Sequence, residues 1–377
     1  YRCCPATAGG MPIREGKKAF PLYGGEEGPY VAVETGFTES RSGKRKADDR
    51  AARPVRRKIS DHRSGRSRRD AFMIEPGYFK QAELLLRVLP FIDREAAFAL
   101  KGGTAINFFV RNFLRISVDI DLAYLPVAER DSSLLGISSA LERIAQDIEG
   151  RVPGTKVTPR KNGSSILLTG LFAQRQDTII KIEPNPVIRG SVFPPTRSVI
   201  SSKAIDFFEI SVESQILSED ELYAGKICAA LDRQHPRDLF DVMMLLKYGH
   251  FSTAMRKAFI VYLISHDRPM VEVLNPGFID IRPAYENEFQ GMTSEEVTCE
   301  DLEKTRKELV SMIAGDLTHP EKQFIVSVKE GRPQWDLLDM EGIENLPAAK
   351  WKLLNIARMN PSKHRSAVRK LRDYLEV

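Results

Sequence analysis

The chain has 377 residues, of which 42% are hydrophobic and 28% charged, the balance of an ordinary globular protein with ample length for a core. No run of about 18 apolar residues is present, so no membrane span is expected, and the start lacks the apolar stretch of a secretory signal. The four cysteines, Cys3, Cys4, Cys228 and Cys299, form no paired grid, and the six histidines fall at no ligand spacing. A cytoplasmic protein without a zinc site is expected. The net charge of +5 is unevenly placed. Residues 1–72 hold 17 of the 56 basic and 9 of the 51 acidic residues, a net of +8, which leaves 39 basic and 42 acidic residues and a net of −3 over 73–377. Any nucleic-acid contact of the body must therefore come from a local patch.

Residues 1–72 show no helical or strand period, and Arg41 to Arg69 is a charge run of disordered type. One reading makes this segment upstream translation, with Met73 the initiator. The other makes it a basic arm that binds nucleic acid non-specifically, although no aromatic residues are interleaved for stacking.

The patterned chain begins with a helix over 77–89 behind Pro76. A short strand follows at 97–100, then the Gly102–Gly103 break and a helix over 104–113. The segment 118–125 alternates Asp with apolar residues and predicts a strand. Residues 131–149 carry apolar side chains at helical spacing. Strands are predicted over 155–160, 164–171 and 177–183, with one more over 206–213. From Ser218 the pattern is helical. Ser218 and Glu221 read as a capping box, Pro236 opens the next helix and Gly249 ends it. Further helices are expected near 252–265, 299–315, 319–328, 347–358 and 361–375. The fold class predicted is a mixed-sheet α/β (α+β) catalytic module over 73–215 followed by an all-helical module over 216–377.

One constellation points to chemistry. Gly102 and Gly103 allow a tight turn and close backbone approach. The helix behind them aims unpaired N–H groups at the turn, a setting for phosphate, with the Thr104 hydroxyl as a further donor. Asp119 and Asp121 lie two apart on a strand and so share a face, roughly 6–7 Å apart. Paired carboxylates of that kind suit Mg²⁺ shared with substrate phosphates, in a two-metal site where one ion activates the attacking hydroxyl and the other steadies the leaving pyrophosphate. Glu183 closes an apolar strand and is the candidate third metal ligand. Lys181 shares its face and can offset phosphate charge. Each feature alone has a bland reading as a loop, a solvated edge or an exposed strand end; their order and close spacing favour the functional one. Lys226 and Arg233 are seven apart and share a helix face. Asp238 falls in a first helical turn, where a carboxylate is favoured. Arg115 and Ser117 stand near enough in sequence to orient the Asp pair or bind phosphate.

The run KGGTAINFFVRNFLRISVDIDL resembles the signature of polymerase-β-type nucleotidyltransferases. Its form, with ELYAGKICAALDRQHPRDLFDVMMLL (221–246) and the closing WKLLNIARMNPSKHRSAVRKL, is similar to the AbiEii/AbiGii abortive-infection toxins. The resemblance covers about 75–377. It implies that Asp119 and Asp121 are metal ligands, that Gly102, Gly103 and Thr104 contact the triphosphate, and that Lys181 and Glu183 occupy a Lys-x-Asp motif in which Glu replaces Asp. Lys226 and Asp238 are placed near the nucleotide. It further implies transfer of a nucleoside monophosphate from an NTP to RNA, notably the tRNA 3′ end, by the toxin of a toxin–antitoxin pair. Its partner would be a cognate antitoxin. The competing readings are transfer to a small molecule or protein hydroxyl, a nucleotide-binding module without chemistry, and a DNA-binding regulator built on the basic arm.

Overall fold

In a computed structural model of the chain, the described residues are 75–163 and 165–377. Met73 and the basic segment 1–72 lie outside them. The elements, in order, are α1 (Pro76–Ile92), β1 (Phe98–Lys101), the short α2 (Gly102–Thr104), β2 (Asp119–Tyr124), α3 (Arg130–Arg151), β3 (Thr155–Lys161), β4 (Leu168–Arg175), β5 (Thr178–Pro184), β6 (Thr196–Val199), α4 (Ser202–Phe208) and β7 (Glu213–Ile216). Helices then follow: α5 (Glu219–Arg233), α6 (Pro236–Tyr248), α7 (Thr253–Ser265), α8 (Met270–Leu274), α9 (Arg282–Glu288), α10 (Cys299–Asp316), α11 (His319–Lys329), α12 (Pro347–Ala357) and α13 (Pro361–Leu375). No described helix is long and apolar enough to cross a membrane.

The strands form one mixed sheet in the order β3-β4-β5-β2-β1-β7-β6. β2 runs antiparallel to β1 and parallel to β5, so it is hydrogen-bonded on both edges at the centre of the sheet. Alternation along β2 puts Ile120 and Leu122 into the core, where α1 and α3 pack on the sheet, and leaves Asp119 and Asp121 half-buried on the opposite face. Burying those two aliphatic side chains fixes which face the carboxylates occupy, because a one-residue slip would drive both acids into the core.

Several sequence expectations are corrected. The helix expected over 104–113 begins at Gly102, widens into a π-helical turn over Ala105–Val110, and stops where Arg111 turns extended and Phe113 takes a positive φ of 52°. The strand expected over 206–213 is mostly helix: Ser201 caps α4, the helix ends at Glu209 with φ 54°, and the strand begins only at Glu213. The Phe-Phe pair that read as strand instead buries Phe208 against Phe79, Phe108 and Phe113, and aromatic burial outweighs the modest strand preference of Phe. β4 lies about four residues later than expected, and the edge strand β6 had no counterpart in the reading. Ser218 does accept from the Glu221 amide, but the Glu221 carboxylate does not return the bond. It is buried and accepts from the Val192 and Phe193 amides and the Tyr262 hydroxyl.

Candidate active site

The strand register assembles the site. Asp121 pairs across the sheet with Lys101 of β1 on one side and Glu183 of β5 on the other, and Asp119 pairs with Lys181 of β5. Residues from three separate stretches of chain thus form two adjacent rows of charge. Lys181 lies 2.5 Å from Glu183, Arg160 of β3 also pairs with Glu183, and Arg237 at the start of α6 stands 3.7 Å from Asp119. Burial, then the neighbouring Asp121 carboxylate, pushes the Asp119 carboxyl above its ordinary value. Burial likewise pushes the Lys101 amine below its ordinary value, with Asp121 opposing.

Gly102 has φ 71°, a conformation other residues rarely adopt, and a Cβ there would collide with Asp121 Oδ2. A Cβ on Gly103 would meet Arg115 Nη2 at 2.6 Å. The two glycines therefore let the chain lie directly against the acid pair and its support. Thr104 is buried; its hydroxyl donates to the Asp119 carbonyl at 2.6 Å and pairs with Ser117 Oγ at 2.9 Å. These bonds aim Thr104 at the backbone of β2, with Ser117 against it, and so fix the strand that carries the aspartates.

Behind the turn lies a buried ion network. Arg115, 3% exposed, holds Asp241 through two bonds of 2.8 and 2.6 Å. Asn107 joins Asp241 to the Gly103 carbonyl, each at 3.0 Å. Lys226 bridges Asp238 at 2.7 Å and Asp241 at 3.1 Å, and Arg233 closes on Asp238 at 2.5 Å. Burial works to raise both carboxyls. Lys226 and Arg233 override it at Asp238, as Arg115 and Lys226 do at Asp241, and both are held below the usual carboxylate range. The basic face expected from Lys226 and Arg233 is thus largely matched by Asp238.

Two clefts open beside Asp121 and share Lys101, Asp121 and Asn185. One, of about 280 Å³, is lined by Gly102, Lys226 and Arg233; the other, of about 310 Å³, by Arg160, Lys161 and Glu183. Among the described residues no set of three or more His, Cys, Asp or Glu forms a ready metal cage. The donor chemistry fits a hard divalent cation at Asp119 and Asp121, two like charges forced together beside a glycine cradle. Glu183 is engaged by Lys181 and Arg160 and would have to leave them to serve as a third ligand.

A family model described as nucleotidyl transferase AbiEii toxin, type IV toxin–antitoxin system, matches residues 83–339. The chain belongs to the AbiEii nucleotidyltransferase toxin family. It is accordingly a nucleotidyltransferase and a toxin of a type IV toxin–antitoxin system, a class that implies a cognate antitoxin. Among solved structures it is similar to MenT4, a nucleotidyltransferase toxin from Mycobacterium tuberculosis H37Rv, at 14% identity and a TM-score of 0.51, over 75% of this chain and 95% of that one. At that identity the likeness is one of fold. No curated protein matches the chain.

Sequence reasoning passed over Lys101, Arg160, Arg237 and the pairing of Asp241 in this AbiEii-family protein. Lys101 had a signal, since it opens the Lys-Gly-Gly-Thr-Ala run. Arg237 stands within the second motif block. Arg160 had none, because its place beside Glu183 depends on β3 and β5 flanking β4.

Proposed function

We propose that this AbiEii-family protein transfers a nucleoside monophosphate from an NTP to the 3′ hydroxyl of an RNA, the tRNA 3′ end being the acceptor chosen, in the bacterial cytoplasm and under restraint by its antitoxin. The observation that carries the reading is the position of Asp121 between two clefts. The Gly102 cleft suits the NTP: the glycine turn and the exposed Arg233 side chain stand toward the triphosphate there, while Lys226, held by Asp238 and Asp241, braces the wall. The Arg160–Lys161 cleft suits the acceptor, whose phosphates meet cations, and it supplies the local basic patch that an RNA reading requires of a body with net charge −3.

In this reading the acceptor 3′ hydroxyl gives up its proton to solvent as its oxygen forms a bond to the α-phosphorus, the bond from that phosphorus to the bridging oxygen breaks, and pyrophosphate leaves. Holding the two substrates in line across Asp121 is the chain's main contribution. Mg²⁺ held by Asp119 and Asp121 would supply charge neutralisation on the reacting phosphates. Lys101 and Lys181 flank that position and would offset charge developing there.

The test incubates the protein with total tRNA, Mg²⁺ and each α-³²P-labelled NTP. Label on tRNA, lost when the tRNA 3′ diol is first oxidised with periodate, is the expected result. Absence of label with every NTP, in protein that still binds nucleotide, would overturn the RNA acceptor.

A further inference from the structure

A third groove, of about 330 Å³, lies between the loop entering α3, the segment after β5, and α12. Its floor holds Arg189, which is 6% exposed. Arg189 Nε has no hydrogen-bond partner among the described residues, and Nη1 makes only a 3.4 Å bond to the Arg130 carbonyl. A guanidinium cannot escape burial by losing its proton, so a buried one without an anion is costly. Arg189 is also held in place. Asn185 Oδ1 accepts from the Val187 and Ile188 amides at 2.9 Å each, and the Gly190 amide donates to the Tyr124 carbonyl at 2.8 Å. Gly190, at φ 83°, lets Leu346 and Val127 close over the backbone, where a Cβ would meet them at 2.9 and 3.1 Å.

The wall above Arg189 is Trp351, 49% exposed, continued by exposed Leu354 and Val187. Arg130 and Lys350 add exposed cations; Glu129 is the one carboxylate of the lining, and Arg130 stands 3.9 Å from the exposed Asp131 beside it. A flat aromatic face beside a row of cations is the chemistry that binds single-stranded nucleic acid, by stacking a base and pairing phosphates. The groove adjoins the acceptor cleft, since Pro186 lines both. Arg189 is six positions beyond Glu183, a reach of at most ~20 Å.

We propose that this groove binds the single-stranded 3′ segment of the RNA acceptor a few nucleotides before its reacting end, with a phosphate on Arg189 and a base stacked on Trp351. This rests on the RNA-acceptor reading above and adds a second point of attachment to it.

The test uses the full chain carrying Asp121→Ala, so that binding is read without turnover. Anisotropy of a fluorescent single-stranded oligoribonucleotide of about ten nucleotides is measured at low salt. Trp351→Ala, Lys350→Glu and Arg189→Gln are each expected to weaken binding about tenfold, the scale of one lost stacked base or phosphate contact, with Trp351→Phe retaining most of it. Trp351 and Lys350 are exposed, so their variants report even if the Arg189 variant fails to fold. Inorganic phosphate is expected to displace the oligonucleotide only at far higher concentration. Unchanged affinity in Trp351→Ala and Lys350→Glu would overturn the groove even if tRNA labelling succeeds. Displacement by inorganic phosphate, or by an acidic peptide, at the oligonucleotide's own concentration would also overturn it, assigning the groove to free phosphate or to a protein. Groove-dependent binding without any tRNA labelling would keep the subsite and remove only the transfer reading.

Discussion

Five charged side chains, Arg115, Lys226, Arg233, Asp238 and Asp241, form the ion network beneath the glycine turn, and four of them are buried. Removing one partner of such a network leaves an uncompensated buried charge, at a cost of about 3–5 kcal/mol. Asp241→Ala strands Arg115, so its unfolding free energy from urea titration at neutral pH is expected to fall by that amount; a change below about 1 kcal/mol would show that the network contributes little. The network also sets a pH dependence. Asp238 and Asp241 are held below the unfolded carboxylate value of about 3.9, so the folded state binds fewer protons than the unfolded chain in that range. The stability they contribute is complete above about pH 5 and is lost as the pH falls through 4 and lower. Urea unfolding at descending pH is expected to show this loss, with a shallower slope in Asp238→Asn. The sequence showed Lys226 and Arg233 on one helix face. It did not show that the Gln234–His235 turn brings Asp238 and Asp241 back against that face, because the angle between consecutive helices is set by packing.

At the scale of elements, the site is a strand, a glycine turn and a strand, with the turn pressed onto the second strand's acids. Gly102→Ala introduces both a strained φ and a collision with Asp121. Its expected effect is a loss of about 1–3 kcal/mol in stability together with a loss of transfer activity of at least about a hundredfold, since a displacement of roughly 1 Å at a reacting group costs that much. Thermal melting and labelling of the same preparation measure the two. Activity within a few-fold of the parent would show that the turn does not position Asp121. This unit was readable because its signals are local: Gly-Gly for the turn, period-2 alternation for β2. The stretch 196–216 was not. There Phe207 and Phe208 satisfy strand and helix patterns equally, and only the aromatic cluster with Phe79, Phe108 and Phe113 decides between them.

Across the whole molecule, function depends on a sheet order that joins distant stretches of sequence. β2 sits between β1, about twenty residues before it, and β5, about sixty after it, and that order alone places Lys101, Asp121 and Glu183 in one row. Each residue could be picked out in sequence as a strand residue, but their juxtaposition could not, because strand pairing is non-local. The same holds for charge. A net of −3 over 73–377 conceals local cations at the clefts and the Arg189 groove, where folding brings Arg160 and Lys161 beside Asp121 and Lys350 beside Arg189. The central claim is that Asp119 and Asp121 are the chemical centre of this arrangement. Asp119 is not needed by the core, and burial and the Asp121 charge both disfavour its ionised form, so replacing it should leave the fold as stable or more so. The decisive measurement is therefore single-turnover transfer of ³²P-labelled nucleotide by the parent and by Asp119→Asn, with thermal midpoints recorded alongside. A loss of about a thousandfold or more in rate with an unchanged or raised midpoint is expected; a rate within about tenfold of the parent would contradict the assignment of the active site to this acid pair.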